Sequence, residues 1–295
     1  MLLQRKNTED NKKNKRVAEL FAGLGTVFFM TLSLNMTSYA FARPNSIGEV
    51  EPNNTREEAQ LTTQNNEVAE KIADSDWSGS YYVYGTADAT DDDWYKVVLT
   101  AGKQYLTVAH VYGDNATYVE LYDSENNPII PRKYGTRYNV TEFDSNGGTY
   151  YIHITGALET ESRYTLYVGT PVHASESVNI TFDGVKTSGT VERSFSLENE
   201  SILPKDAVVG RISFDGMAGS FSSVRITNSG YSGSLSCSGS SDLSNIGSLG
   251  IKLKSEWKMV FYPKKTVDHV PMVTFNYVFP VYDNTVYSHW PTIKK

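Results

Sequence analysis

Acidic and amide side chains form two clusters in the first hundred residues of the chain. The first cluster is Glu49-Val50-Glu51-Pro52-Asn53-Asn54, and the second is Asp91-Asp92-Asp93, directly before Trp94-Tyr95. Glu49, Glu51 and Asn53 alternate, so an extended chain directs all three side chains to one side. Calcium takes about six to eight oxygen ligands from carboxylates, amides and carbonyls. The residues alone are compatible with a calcium site and with a solvated acidic surface.

The common signatures of enzyme chemistry are missing from the sequence. It contains no G-x-S-x-G nucleophile elbow and no H-E-x-x-H zinc motif. The five histidines are scattered without a close pair, and Cys237 is the only cysteine, which excludes an intramolecular disulfide. We therefore predict a non-catalytic protein. A carboxylate pair for glycoside hydrolysis is set by distance in space, so a secreted hydrolase with its site in the C-terminal part stays open as the alternative.

Short strands separated by turn residues are predicted from residue 80 onward. Tyr95, Val97 and Leu99 alternate with polar or outward positions, as do Tyr150 and Ile152 further along the chain. Residues 100–103 and the glycine-rich residues 145–148 are predicted to be turns between strands. Nothing resembles a βαβ unit. Before this series, residues 56–74 are expected to hold at most a short helix.

A second series of strands is predicted after a boundary at Thr170-Pro171. The predicted strands are residues 178–182, 191–197, 208–214, 223–227, 249–253, 257–262 and 272–279. Residues 228–248 are rich in serine and glycine and are predicted to be a mobile or hairpin-tip segment. Strands at this spacing indicate β-sandwiches or barrels. The predicted fold class is all-β, with two β-sandwich domains in tandem after a signal peptide.

The first 42 residues have the layout of a secretory signal peptide. The basic residues Lys12, Lys13, Lys15 and Arg16 precede the apolar residues 20–36, and Ala40-Phe41-Ala42 follows. This pattern predicts export and cleavage after Ala42, and the long basic leader resembles those of Gram-positive bacteria. The apolar run approaches the length of a membrane span, so an uncleaved N-terminal anchor is the alternative.

The charge of the remaining chain argues against several partners. Residues 1–42 contain six of the 27 basic and three of the 34 acidic residues, which leaves 21 basic against 31 acidic residues. An acidic surface disfavours nucleic acid and, after signal cleavage, an anionic membrane. Half-buried tyrosines on a sandwich can form an aromatic face, and the candidates are Tyr118, Tyr122, Tyr151 and Tyr167. Such a face would suit an extracellular protein or polysaccharide.

Residues 49–169 resemble the bacterial pre-peptidase C-terminal (PPC) domain family. The pieces that carry the resemblance appear in the family's order. They are Glu51-Pro52-Asn53-Asn54, Gly85, Asp91, Asp93-Trp94-Tyr95, Val97, Leu99, Ala101-Gly102, Leu121-Tyr122-Asp123, Gly148-Thr149-Tyr150-Tyr151-Ile152-His153-Ile154 and Tyr164-Thr165-Leu166-Tyr167-Val168. PPC domains are small β-sandwiches of exported bacterial proteins, and the collagen-binding domains of clostridial collagenases are similar to them.

The resemblance implies a calcium site. In the relatives, an acidic N-terminal segment and an acidic turn before the aromatic pair hold calcium. The matching positions in this chain are Glu49, Glu51, Asn53, Asn54, Asp91 and Asp93.

Together these observations give one prediction for the whole chain. Its parts are a signal peptide (residues 1–42), a polar, partly ligand-bearing segment (43–78), a PPC-like β-sandwich (79–170) and a second β-rich domain of unknown family (172–295). The predicted function is that of a secreted binding or accessory protein stabilised by Ca²⁺. A purely structural surface protein differs from this prediction only in lacking a ligand.

Overall fold

The computed structural model describes residues 45–110, 115–238, 242–287 and 289–295. The predicted signal peptide lies outside the described residues. The described chain consists of strands, one short helix and one 3-10 turn. The strands are β1 (Ser46–Gly48), β2 (Gln60–Leu61), β3 (Tyr82–Ala87), β4 (Asp92–His110), β5 (Ala116–Asp123), β6 (Pro128–Thr136), β7 (Tyr138–Gly156), β8 (Ser162–Gly169), β9 (His173–Thr181), β10 (Val191–Ser196), β11 (Val208–Asp215), β12 (Phe221–Asn228), β13 (Tyr231–Ser238), β14 (Asp242–Leu243), β15 (Glu256–Pro263), β16 (Met272–Pro280) and β17 (Thr292–Lys294). The helix is α1 (Ala69–Ala73) and the 3-10 turn is Gly247–Leu249. The predicted all-β fold class is confirmed.

The first eight strands belong to one sheet that folds back on itself. Its order is β1-β3-β8-β4-β7-β5-β6, and β2 pairs in parallel with β4. The first part of β4 pairs with β2 and β7, and its last part pairs with β7 and β8. The end of β7 in turn pairs with β5. The two long strands β4 and β7 therefore connect the two layers of this half of the molecule.

The predicted turns at residues 100–103 and 145–148 are wrong. These residues lie opposite each other inside β4 and β7, and the ladder between the two strands continues past them in one register. Gly102, Gly147 and Gly148 have φ angles of 117°, 83° and 98°. Glycine adopts such angles without steric cost, and within a strand it permits a bend. The glycines thus curve a continuous ribbon instead of ending it.

The core of the first half follows the alternation seen in the sequence. Tyr95, Val97 and Leu99 are buried on β4, and Tyr150 and Ile152 are buried on β7. They belong to one apolar cluster between the two layers. The side chains between them on β4 and β7 lie on the outer face, because successive residues of a strand point to opposite sides. The same alternation decides whether a candidate site residue on these strands points into the core or to the outer face.

The second half contains two sheets and its own apolar cluster. The sheets have the strand orders β10-β15-β12-β13 and β14-β11-β16-β9-β17. Trp257, Phe261, Phe275 and Ile212 are fully buried between them. One detail of the prediction is wrong and another is only partly right. Residues 249–253 form no strand, and the serine- and glycine-rich residues 228–248 include β13, which pairs with β12 as a hairpin.

The helix α1 and the residues around it connect the two halves. Ala69 and Ile72 of α1 pack against Val208 and Val278 in the second half. The chain from Pro44 to Lys295 is accordingly one compact unit. The predicted division into two domains stays a prediction.

Candidate metal centre

The first residues of β4 carry the acidic turn. Asp92 and Asp93 point to opposite faces of the strand. Asp93 lies on the same inward face of β4 as Tyr95 and Val97 and is fully buried. Asp92 remains on the outer face, where its Oδ1 lies 2.8 Å from Nε2 of His153. The alternation that builds the core therefore brings one carboxylate of this turn inside the molecule.

Residues 49–53, the acidic segment, lie against β3 and β4. Oε2 of Glu49 accepts a hydrogen bond from the backbone N–H of Thr86 at 2.9 Å. The carbonyl oxygen of Asn53 accepts one from the backbone N–H of Trp94, also at 2.9 Å. Both ends of the segment are thus tied to the sheet, although the segment itself is not a strand.

Three carboxylates converge where the acidic segment meets β4. Oxygen atoms of Glu49, Glu51 and Asp93 all lie within 4.8 Å of one another. The buried Asn53 joins them, with Nδ2 at 3.3 Å from Oε1 of Glu49 and its backbone N at 3.0 Å from Oε2 of Glu51. Its Oδ1 faces the Glu51 carboxylate, and a half-turn of the amide would place Nδ2 at 3.0 and 3.3 Å from those oxygens. Either a cation between the oxygens or a rotated amide satisfies this contact.

Two buried tyrosine hydroxyls form the inner wall of this cluster. The Tyr164 hydroxyl lies 2.7 Å from Oδ2 of Asp93 and 3.1 Å from Oε1 of Glu49. The Tyr95 hydroxyl donates to the same Glu49 oxygen and lies 2.6 Å from the Tyr164 hydroxyl. Gly85 makes room for this arrangement, because a Cβ there would lie 2.3 Å from the Tyr164 hydroxyl.

The electrostatics of the cluster are those of crowded, desolvated acids. Burial raises the pKa of Asp93 to about 9, and the neighbouring Glu49 charge adds to the shift. Burial and the charges of Glu51 and Glu49 also raise the pKa of Asp91. The pKa of Tyr95 is raised by burial and then by Glu49, so this hydroxyl stays protonated and remains a donor. Burial is the largest cause of each shift, and the neighbouring negative charges add to it.

The residues present fit a calcium ion. The cluster offers only oxygen ligands from its carboxylates and one amide, whereas zinc in proteins prefers nitrogen and sulfur. Like charges at this spacing repel one another strongly where water is excluded, and a divalent cation between them removes that repulsion. Glu49, Glu51, Asp93 and Oδ1 of Asn53 would hold the ion.

The two other predicted ligands lie differently. Asp91 is in the turn before β4, with its backbone N at 3.2 Å from the carbonyl oxygen of Asp88. It is close enough to the cluster for the charges of Glu49 and Glu51 to act on it. Asn54 is solvent-exposed, one residue beyond the acidic segment. The structure therefore brings together four of the six predicted residues, with Asp91 nearby and Asn54 outside.

Sequence reasoning did not assign Tyr95 and Tyr164 to the site. The alternation of β4 and β8 places both in the core, but it does not reveal that their hydroxyls reach carboxylates. The available signal is that Tyr95 and Asp93 share the inward face of β4. A buried hydroxyl needs a hydrogen-bond partner, and a neighbouring inward carboxylate is a natural one.

The tyrosines predicted to form an aromatic face are divided between two places. Tyr118, Tyr122 and Tyr151 are half-buried on the outer face of β5 and β7. Tyr167 is instead buried on β8, stacked on Tyr82. The guanidinium of Arg56 lies 4.1 Å from the centroid of the Tyr151 ring, and that of Arg132 lies 4.2 Å from the Tyr118 ring. Cations therefore cover one face of each of these two rings.

A cavity in the second half contains residue types used by hydrolases. It has a volume of about 310 Å³, and its lining includes Ser220, Asp268 and His269. Nδ1 of His269 lies 3.3 Å from Oδ1 of Asp268, but Nε2 lies 3.2 Å from the carbonyl oxygen of Gly216. In a catalytic triad that nitrogen contacts the serine hydroxyl. Here Nε2 of His269 contacts a backbone carbonyl oxygen instead.

The similarity of the chain to known proteins is confined to distant structural matches. No protein-family model matches the sequence, and the search of curated proteins gave no match. The PPC domain of a collagenase from Bacillus anthracis is 18% identical, and the match covers 37% of this chain and 93% of that one with a TM-score of 0.28. PliG of Aeromonas hydrophila, a periplasmic inhibitor of g-type lysozyme, is 19% identical over 38% of this chain and 97% of its own, with a TM-score of 0.25.

A third solved structure is a surface-associated copper-binding protein. CorA of Methylomicrobium album BG8 is 9% identical, and the match covers 38% of this chain and 98% of that one with a TM-score of 0.25. Similarities this distant carry no inference about a ligand or an activity. Within the described ranges, no helix has the length and hydropathy of a membrane span.

Proposed function

We propose that this protein is an exported, non-catalytic binding or accessory protein whose first half is a PPC-like sandwich stabilised by calcium. The observation that carries the proposal is the convergence of Glu49, Glu51 and the buried Asp93 within 4.8 Å. A fully buried acid beside two further acids is unfavourable unless something positive accompanies it. The PPC-like motifs of residues 49–169 support the same assignment.

Calcium would act as a clamp between the acidic segment and the sheet. Glu49, Glu51 and Asn53 belong to the segment, whereas Asp93 belongs to β4, so an ion held by all four joins two separate parts of the chain. Calcium supplies the positive charge that lets these groups stay together in ionised form. Because the unfolded chain has no such site, the binding free energy adds to the free energy of unfolding.

Export and an extracellular partner are part of the proposal. The leader-like residues 1–42 and the acidic composition of the remaining chain support secretion. A calcium site fits that location, because millimolar calcium is typical outside cells and extracellular calcium modules have affinities in that range. The partner proposed is an extracellular protein or polysaccharide. The outer face of β5 and β7, with its tyrosines and arginines, is the surface we propose for it.

Thermal unfolding with calcium and then with excess chelator tests the calcium site. At a calcium concentration of about 100 times the dissociation constant, we expect about 2.7 kcal/mol of added stability, or roughly 5–10 °C in Tm. Glu51→Ala and Asp93→Ala should each abolish this shift, because each removes a ligand.

The matched control is Asp92→Ala, which removes a carboxylate one position away that contacts His153 outside the cluster. It should keep the calcium shift of the unchanged protein. A wild-type Tm that stays unchanged up to about 100 mM calcium, roughly 100 times the weakest dissociation constant of an extracellular calcium module, would overturn the proposed site. Asp93 would then be a buried acid without a calcium ion.

A further inference from the structure

The acidic segment has few apolar contacts to hold it in place. Glu51 is exposed, and so is Val50, with 65% of its surface accessible. Hydrogen bonds hold the N-terminal side of the segment. The Gln60 side chain donates to the Gly48 carbonyl oxygen at 2.9 Å and accepts from the Val50 N–H at 2.8 Å. On the C-terminal side, the next long side chain after Asn53 is that of Arg56.

Arg56 reaches across to the turn between β5 and β6. Its Nη2 lies 2.9 Å from the carbonyl oxygen of Asp123 and 3.0 Å from that of Ser124. Its Nη1 lies 2.5 Å from Oδ1 of Asn126. The guanidinium also rests on the ring of Tyr151. Three oxygen atoms and one aromatic face therefore converge on a single positive group.

The turn that receives Arg56 is held together by hydrogen bonds of its own. Oδ1 of Asp123 accepts hydrogen bonds from the backbone N–H groups of Glu125 and Asn127 at 2.9 and 2.8 Å. Its Oδ2 accepts from Nδ2 of Asn127 at 2.8 Å. The Asp123 and Ser124 carbonyl oxygens that accept from Arg56 belong to this bonded turn. The turn is therefore an oxygen-lined receptor for one cation.

We propose that Arg56 is an internal cation that docks the acidic segment onto the first sandwich before calcium binds. It is a positioning residue, since it contacts none of the proposed ligands. Only two residues lie between Asn53 and Arg56, so a docked Arg56 keeps the Cα of Asn53 within about 11 Å of its own Cα. The part of this inference that concerns calcium affinity rests on the proposed function.

Docking by Arg56 opposes the repulsion within the acidic cluster. Without calcium, the Glu49 and Glu51 carboxylates repel each other beside the buried Asp93, and this repulsion opposes docking of the segment on β4. Arg56 bonds outside that cluster, so its contacts persist whether or not an ion is present. A segment that is already docked loses less conformational freedom when calcium binds, and preorganisation of this kind raises affinity.

Calcium titration calorimetry on the purified protein tests the affinity part. We expect Arg56→Ala to weaken calcium binding about tenfold, an effect of about 1.4 kcal/mol. Arg56→Lys should recover only part of the loss, because an ammonium group cannot bond the three oxygens in a fork. The matched control is Arg132→Ala, which removes the same charge from the same sheet face, where Arg132 covers Tyr118 and contacts Thr155. It should leave the affinity unchanged.

Amide hydrogen exchange in chelator tests the docking itself without calcium. The Trp94 N–H is bonded to the Asn53 carbonyl, so its exchange rate reports whether the segment is docked. We expect slow exchange in the wild-type protein and in Arg132→Ala, and exchange faster by about tenfold in Arg56→Ala.

The two measurements separate failure of this inference from failure of the proposed function. If the wild-type protein binds no calcium, the proposed function is lost, and protected Trp94 exchange that depends on Arg56 still supports docking. If the wild-type protein binds calcium but Arg56→Ala binds equally well, the preorganising role is overturned. Equal Trp94 exchange in the wild-type protein and Arg56→Ala overturns the docking role.

Discussion

Asp93 is fully buried, and its nearest polar neighbours are the carboxylate of Glu49 and the hydroxyl of Tyr164. Without calcium, its pKa is raised to about 9 in the folded protein, whereas the ordinary value for an aspartate is near 3.8. Between these values the folded protein holds a proton that the unfolded chain has lost. Stability must therefore fall as pH rises across this window.

We predict that in excess chelator the Tm falls by several degrees between about pH 5 and pH 9. Added calcium should remove most of this slope, because the ion stabilises the ionised carboxylate. Asp93→Asn should also remove the slope, since an amide does not titrate, and should abolish the calcium shift. The measurement is a series of thermal scans at fixed ionic strength.

Asp92→Asn is the matched control for this experiment, because Asp92 is exposed beside the same strand and its side chain is outside the cluster. It should keep both the pH slope in chelator and its suppression by calcium. A chelated wild-type protein whose stability is constant or rises over this pH range would contradict the raised pKa of Asp93.

Residue spacing predicts which side chains of the acidic segment lie together, but it does not predict which candidate ligands are buried. The alternation of Glu49, Glu51 and Asn53 predicts that their side chains lie together, and in the structure they are neighbours. Asp93 shares its strand face with the buried Tyr95. The exposed position of Asn54 depends on how the chain leaves the segment, which spacing does not encode. The contact between Tyr164 and Asp93 joins residues 71 positions apart, so only the folded sheet defines it.

At the scale of elements, the ribbon of β4 and β7 depends on glycines in positive-φ conformations. Gly102 and Gly148 have φ angles of 117° and 98°, and a Cβ at either position would meet nothing within 4 Å. Substitution by alanine therefore costs only backbone strain. We predict that Gly102→Ala and Gly148→Ala each lower the free energy of unfolding by about 1–3 kcal/mol, measured by urea denaturation.

The control for this prediction is Gly189→Ala. Gly189 is exposed, and a Cβ there would make only an ordinary contact at 3.6 Å with the Thr187 side chain, without a positive φ. The unfolding midpoint of the Gly189→Ala variant should stay within error of the wild-type value. Equal midpoints for all three variants would mean that the ribbon does not need glycine at its bend.

The same glycines explain why the elements were only partly predictable. Gly102 and Gly147 carry the local signal of a turn, and a bend inside a strand uses the same positive φ. What distinguishes the two is the partner strand, which continues the ladder past both positions. In the serine-rich residues 228–248, similarly, β13 is a strand because β12 supplies its partner. Strands whose apolar residues alternate, such as β15 and β16, need no such information.

At the scale of the whole molecule, Glu67 connects the two halves. Its Oε2 accepts from the backbone N–H of His173 at 2.7 Å and lies 3.1 Å from Nδ1 of that residue. Its Oε1 accepts from the Ser80 hydroxyl at 2.7 Å. All three residues are buried. Together with α1, which packs on the second half, this contact links the two apolar cores, and we expect them to unfold cooperatively.

We predict a single calorimetric transition that calcium shifts as a whole, although the ion binds only in the first half. Glu67→Ala removes a buried carboxylate that contacts both His173 and Ser80, and loss of such a buried network costs about 3 kcal/mol. The variant should also uncouple the halves, so that two transitions appear. Calcium should then raise the midpoint temperature of one transition and leave that of the other unchanged. Glu159→Ala, which removes an exposed carboxylate of the first half, should retain the single calcium-dependent transition. Two transitions in the wild-type protein, with only one responding to calcium, would mean that the halves are independent domains and that Glu67 does not couple them.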